Sequence, residues 1–301
     1  MQNLVLVFAM IMGTQAWADP SPDLTPFNQL FQNGELHAGF GLARDLISHV
    51  YLGQAFAPRD YDFAVIGTNW SEEEAEAILS QFGQIRKKLQ MSREEIKPSG
   101  RVFSYRYGFV IIIEYLGTQL DFKFFNNLEE AHTRGLFNVE KILFPMAGRS
   151  IEELISDTQK IQKQGRLPNS AEVSDPHHGI RSILEKNPVT INWAKAKASP
   201  LDWLIRGAMI YAKMGVPRLA PQEVEQMKTA IRSVQFMLKS DYSLIERAIA
   251  HKRWWHVRDL LESVEFFEHV NKWRWSEPVR QKVHEWRLQP REALFCRGVF
   301  I

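Results

Sequence analysis

The sequence predicts an α+β protein: a head with a small, mostly antiparallel or mixed sheet and flanking helices, followed by an all-helical neck and body. Three observations carry this prediction. Short β-rich runs separated by Gly-containing turns crowd the stretch before residue 126. A helix-opening Ser71-Glu72-Glu73-Glu74 lies among them. Beyond about residue 150 the apolar residues recur three and four apart, the period of helices. The expected organisation is a leader at 1–18, a head at 19–150, a helix and linker at 151–200 and a helical neck and body at 201–301.

The leader rests on the apolar run Leu4-Val5-Leu6-Val7-Phe8-Ala9-Met10-Ile11-Met12, too short to span a bilayer as a mature helix. Ala16-Trp17-Ala18 follows with the small-x-small pattern of a signal-peptidase site, and Asp19-Pro20-Ser21-Pro22 comes next. Export to a periplasmic or extracellular space is the expectation, with a mature chain free of transmembrane segments; a cytoplasmic chain that keeps this segment is the alternative. The single cysteine, Cys296, excludes an internal disulfide and a Cys-based zinc site. Among 301 residues, 45% are hydrophobic and 24% charged, and no solenoid-length repeat occurs, so a packed globular chain is expected.

In the head, residues 24–66 read as helix or turn and then a strand, with Phe63-Ala64-Val65-Ile66 as the apolar strand. The Ser71 helix presents Ala75, Ile78, Leu79 and Phe82 on one face and stops near Gly83, or resumes through Arg86-Lys87-Lys88-Leu89. Three β runs follow, at 102–107, 109–115 and 119–125. In the last, alternation puts Asp121 and Lys123 on one face and Leu120, Phe122 and Phe124 on the other. Helices are then expected at 151–164, 201–214, 221–238, 242–250, 254–270 and 278–286, with a linker at 165–179.

The chemistry sits in Asp60-Tyr61-Asp62. Two carboxylates two residues apart on an emerging strand share one face and can share or bridge hard divalent cations, as phosphoryl transfer requires. Upstream, Gly39-Phe40-Gly41 allows backbone amides to approach a triphosphate. Asp121, on a separate β run, completes a three-carboxylate set, with Glu114 as the other choice for third ligand.

These residues carry a likeness. Gly41-x-x-Arg44-Asp45, Leu52-Gly53, Pro58-Arg59-Asp60-Tyr61-Asp62-Phe63-Ala64-Val65 and the Ser71 helix resemble the head of the bacterial tRNA nucleotidyltransferase and poly(A) polymerase family. Pro200-Leu201-Asp202-Trp203-Leu204-Ile205-Arg206 through Tyr211-Ala212-Lys213-Met214-Gly215 is similar to its neck helix, and Asp175-Pro176 with Gly179 echoes its Asp-Pro-x-x-Gly segment. The resemblance spans roughly residues 36–216. It implies a metal-dependent transfer of a nucleoside monophosphate from ATP or another nucleoside triphosphate to an RNA 3′ end. Asp60, Asp62 and Asp121 would be the catalytic residues and would hold Mg²⁺ or Mn²⁺; Gly39, Gly41, Arg44 and Arg134 would bind the nucleotide.

The departures are specific. Phe40 stands where the family has its first glycine. The nucleotide-contacting segment is altered to Thr133-Arg134-Gly135-Leu136-Phe137-Asn138-Val139-Glu140, and the base-selecting triplet has no counterpart beside Pro200. A catalytically impaired binding protein and a transferase acting on a protein or small molecule are therefore the alternatives.

Charge adds a second partner expectation. Residues 201–301 hold 17 Lys and Arg against 12 Asp and Glu, and six of the nine tryptophans. Such a segment suits RNA, by phosphate pairing and by base stacking on Trp254, Trp255, Trp273 and Trp275; it equally suits a helical core with a solvated basic face.

Overall fold

The computed structural model describes residues 22–31, 35–58, 60–67, 70–96, 102–133, 135–216, 218–234, 239–251, 253–270 and 277–288. The expected leader 1–18, the proposed nucleotide ligand Arg134, and Arg59, Trp273, Trp275 and Cys296 lie outside them. The fold is α+β with a six-stranded mixed sheet and many helices. It divides into two compact units, residues 1–130 with 143–173, and residues 131–142 with 174–301.

The first unit holds the sheet. In chain order it contains α1 (Thr25–Leu30), β1 (Leu36–Gly39), α2 (Phe40–Leu52), β2 (Tyr61–Ile66), α3 (Glu72–Leu79), β3 (Gln84–Ile96), β4 (Val102–Tyr115) and β5 (Thr118–Phe125). After α4 (Leu128–Thr133), which straddles the division, come β6 (Leu143–Pro145) and α5 (Ile151–Lys163). The strand order is β3-β4-β5-β2-β1-β6, antiparallel throughout except for the central β2–β5 pair, which is parallel. Alternation divides the two faces at that pair. Phe63 of β2 stacks on Phe122 of β5, and Phe109 of β4 stacks on Phe124 with ring centroids 4.5 Å apart. Phe27 and Phe31 close over this aromatic face. The opposite face carries Asp62, Asp121 and Lys123 and receives α2, whose Leu42, Ala43, Leu46 and Ile47 are fully buried.

Local signals explain the element ends. Ser71 Oγ accepts from the Glu74 amide at 3.1 Å and the Ser71 amide donates to Glu74 Oε2 at 3.2 Å, the predicted capping box. Gly53 ends α2 in the left-handed region (φ +64°), where a side chain would be strained.

In the first unit, two expectations needed correction. Arg86-Lys87-Lys88-Leu89 is no helical extension; it belongs to β3, an edge strand. Its charges pair outward, Arg86 with Glu114 and Lys88 with Glu76, which is how a sheet edge stays soluble and why the segment reads as a polar helix. The β runs at 102–107 and 109–115 form one strand, β4, because Gly108 is no turn. A Cβ there would run into the Phe124 carbonyl, so glycine permits the close approach of β5.

The second unit is helical: α6 (Gly179–Leu184), α7 (Trp193–Ala198), α8 (Pro200–Met214), α9 (Pro221–Arg232), α10 (Lys239–Ile249), α11 (Trp254–Ser263), α12 (Phe266–Val270) and α13 (Glu277–Leu288). Helix α8 is its hub, touching α7, α9, α10 and α11. The expected helix 254–270 breaks at Glu265 (φ +61°), whose carboxylate takes Lys228 at 2.8 Å. The second unit also takes in residues 131–142. Residues 131–142 join the helices because Phe137, fully buried, packs edge-on to Tyr211 of α8, and Asn138 Nδ2 donates to Ser182 Oγ at 2.7 Å.

Candidate functional site

The site grows from the central parallel pair. In its register Asp62 stands beside Asp121, so the two carboxylates leave the same face of neighbouring strands. Both are partly exposed, as is Asp60 at the entry to β2. The three share one electrostatic neighbourhood. Burial pushes the Asp121 carboxyl above the usual carboxylate range, and the Asp62 charge adds to this, with a smaller push from Asp60. Lys123 and a hydrogen bond from Gln119 Nε2, at 2.7 Å to Asp121 Oδ1, act the other way. Glu114, the other choice for third ligand, is paired with Arg86 near the sheet edge. Of the two, Asp121 is the residue set beside Asp62.

The turn from β1 into α2 supplies the second half. Gly39 ends β1 and precedes the helix with extended backbone (φ −144°, ψ −179°). The Gly41 amide, in the first turn, donates to Asp62 Oδ2 at 3.2 Å. A Cβ on Gly41 would lie 2.7 Å from that oxygen, so the glycine is the condition for seating the carboxylate against the positive end of α2. Arg44 is buried beside Gly41 and directs its Nε and Nη2 to Asp45 Oδ1 at 3.1 and 3.0 Å.

Lys123 is the residue that sequence reasoning missed. Two positions beyond Asp121 on the same face, it is 5% exposed and forms an ion pair with Asp62 Oδ1. Its Nζ lies 4.4 Å from the centroid of the Phe40 ring. The available signal was a lysine alternating in step with Asp121 inside an otherwise apolar strand.

Residues 135–140 are held within the second unit. Glu140 Oε2 accepts from the Leu136 and Phe137 amides at 2.8 and 3.2 Å, while Arg206 lies 3.6 Å from its Oε1 and 3.3 Å from Asp202. Asp175 receives the Gly179 and Ile180 amides at 2.7 and 2.9 Å, a structural reason for the Asp-Pro-x-x-Gly spacing. In the basic third, Trp203, Trp254 and Trp286 are buried, which fits core packing better than base stacking.

The donor set on the sheet face suits a hard divalent ion in kind: carboxylate oxygens of three acids, with a lysine ammonium already drawn to one of them. Among the described residues, no three Asp, Glu, His or Cys side chains are gathered into a ready-made cage. Also among them, no helix is long and apolar enough to cross a membrane. No protein-family model matches the chain, and comparison with curated proteins finds no match.

Proposed function

We propose that the first unit is a nucleotidyltransferase head that transfers a nucleoside monophosphate from ATP or another nucleoside triphosphate to an acceptor hydroxyl. The observation that carries this reading is the in-register pair Asp62–Asp121, set on parallel strands beneath the first turn of α2. Asp60, Asp62 and Asp121 would hold Mg²⁺ or Mn²⁺, which when bound supplies charge neutralisation at the transferred phosphoryl group. The chain's own residues prepare the rest. The Gly41 amide fixes the rotamer of Asp62, and the start of α2 favours anionic oxygens over it. Asp121, set in register beside Asp62 on the same sheet face, would accept the proton of the attacking hydroxyl. Gly39 and Arg44 flank the same helix start, where phosphate oxygens would lie. An RNA 3′ end as acceptor rests on the motif resemblance alone.

A second reading is favoured by one observation: Lys123 already engages Asp62. On that reading the head binds nucleotide or a partner without transferring anything. Incubating the full chain with Mg²⁺, labelled nucleoside triphosphates and total RNA separates the two. Label on RNA that disappears in Asp62→Asn supports transfer. Label on protein or on a small molecule keeps the chemistry and changes the acceptor. No label in any fraction, with triphosphate still bound, leaves the binding reading.

A further inference from the structure

We propose that Lys123 is a tethered cation that takes the place of one divalent ion on the Asp62 side of the carboxylate site. This rests on the reading of Asp60, Asp62 and Asp121 as a donor set for divalent ions and specifies it. The ammonium lies between Asp62 Oδ1 and the Phe40 ring, with the lysine side chain 7% and the Asp62 side chain 14% exposed. A lysine this deeply buried needs a partner anion, and this one has taken an oxygen of an expected metal ligand. The other Asp62 oxygen is engaged by the Gly41 amide.

Phe40 makes the arrangement look built. It occupies the left-handed region at φ +54°, a conformation that a side chain resists and glycine accepts freely. The backbone is strained there, and what the bulky residue provides is a ring over the Lys123 ammonium. The residue that departs from the expected glycine pattern and the unexpected cation are thus in contact. A divalent ion on Asp62 Oδ1 would sit beside a fixed positive charge, which disfavours it. The ammonium can neutralise and donate hydrogen bonds, but it offers no open coordination position.

The test counts ions. The full chain is titrated with Mn²⁺ and free ion is followed by its electron paramagnetic resonance signal. The proposal expects Lys123→Met to bind one Mn²⁺ more per chain than the wild type. Lys123→Gln, whose amide can still donate to Asp62, should do the same if the methionine variant fails to fold. Lys123→Arg, which keeps the charge, should match the wild type, and the added ion should vanish in Lys123→Gln combined with Asp62→Asn. A rise from none to one supports the tethered cation and removes the metal-dependent reading of the native chain. A rise from one to two supports both. Equal counts of one or more in wild type and variants overturn the tethered cation and leave the metal reading standing. No ion in any variant overturns both.

Discussion

Replacing Gly41 by alanine tests whether the helix start and the carboxylate are one unit. The new Cβ would stand 2.7 Å from Asp62 Oδ2, whereas ordinary contact begins at 3.4 Å, so the carboxylate must retreat by about 0.7 Å. That movement breaks the Gly41 amide bond to Oδ2, a charge-assisted bond worth roughly 1.5–3 kcal/mol. It also pulls Oδ1 away from Lys123. Against this, alanine gains at most about 1 kcal/mol over glycine in a helix. The expected net loss is about 1–2 kcal/mol in urea unfolding monitored by circular dichroism. The decisive version is a double-mutant cycle. In an Asp62→Ala background the obstructing oxygen is gone, and Gly41→Ala should become neutral or stabilising by up to about 1 kcal/mol. A coupling of roughly 2 kcal/mol is therefore expected. Equal effects of Gly41→Ala in both backgrounds would refute the contact.

Other consequences are simpler to read. Burial lowers Lys141 from its ordinary 10.5 to about 7, with Glu140 opposing and Lys195 reinforcing the shift. The unfolded chain then holds more protons than the folded one between those values, so stability should climb with pH across that window, by about 5 kcal/mol at most. Lys141→Met should flatten the climb in melts taken from pH 6 to 10; an unchanged slope would assign it to other groups. Ser71→Ala removes the oxygen that caps α3 and should cost about 1 kcal/mol in chemical denaturation, with no effect on any nucleotide binding. Trp286, 1% exposed and edge-on to Phe267 at 5.4 Å, should cost about 3–5 kcal/mol on replacement by alanine. A well-folded Trp286→Ala chain that had lost affinity for RNA would instead make it a stacking residue.

The legible part of this protein was local. Ser71 and Glu74 announced their capping box because both partners lie within one turn, and the alternation in 119–125 placed Asp121 and Lys123 on one face because the strand period is fixed by backbone geometry. Asp60-Tyr61-Asp62 could be read as a carboxylate pair for the same reason. Gly39-Phe40-Gly41 could be read as a close-approach segment, although the helix it opens, α2, and the strand it closes, β1, were not separated from a general helix-or-turn region. The helix from Pro200 to Met214 was equally plain, with proline at its first position and glycine beyond its last.

What the sequence by itself determined is the alternation, the caps and the kinds of side chain available at each face, since these depend on neighbours a few positions apart. Only the tertiary structure decided which distant segments stand side by side. The parallel pairing of β2 with β5 sets Asp62 beside Asp121, 59 residues later in the chain. The same pairing brings Lys123 onto Asp62 and turns an alternating strand lysine into a buried cation beside the carboxylates. Pairing also made β3 an edge strand despite its polar, helix-like composition, and drew residues 131–142 onto α8 through Phe137. In each case the deciding free energy comes from burial and pairing between segments far apart in sequence. No window of local residues contains that term.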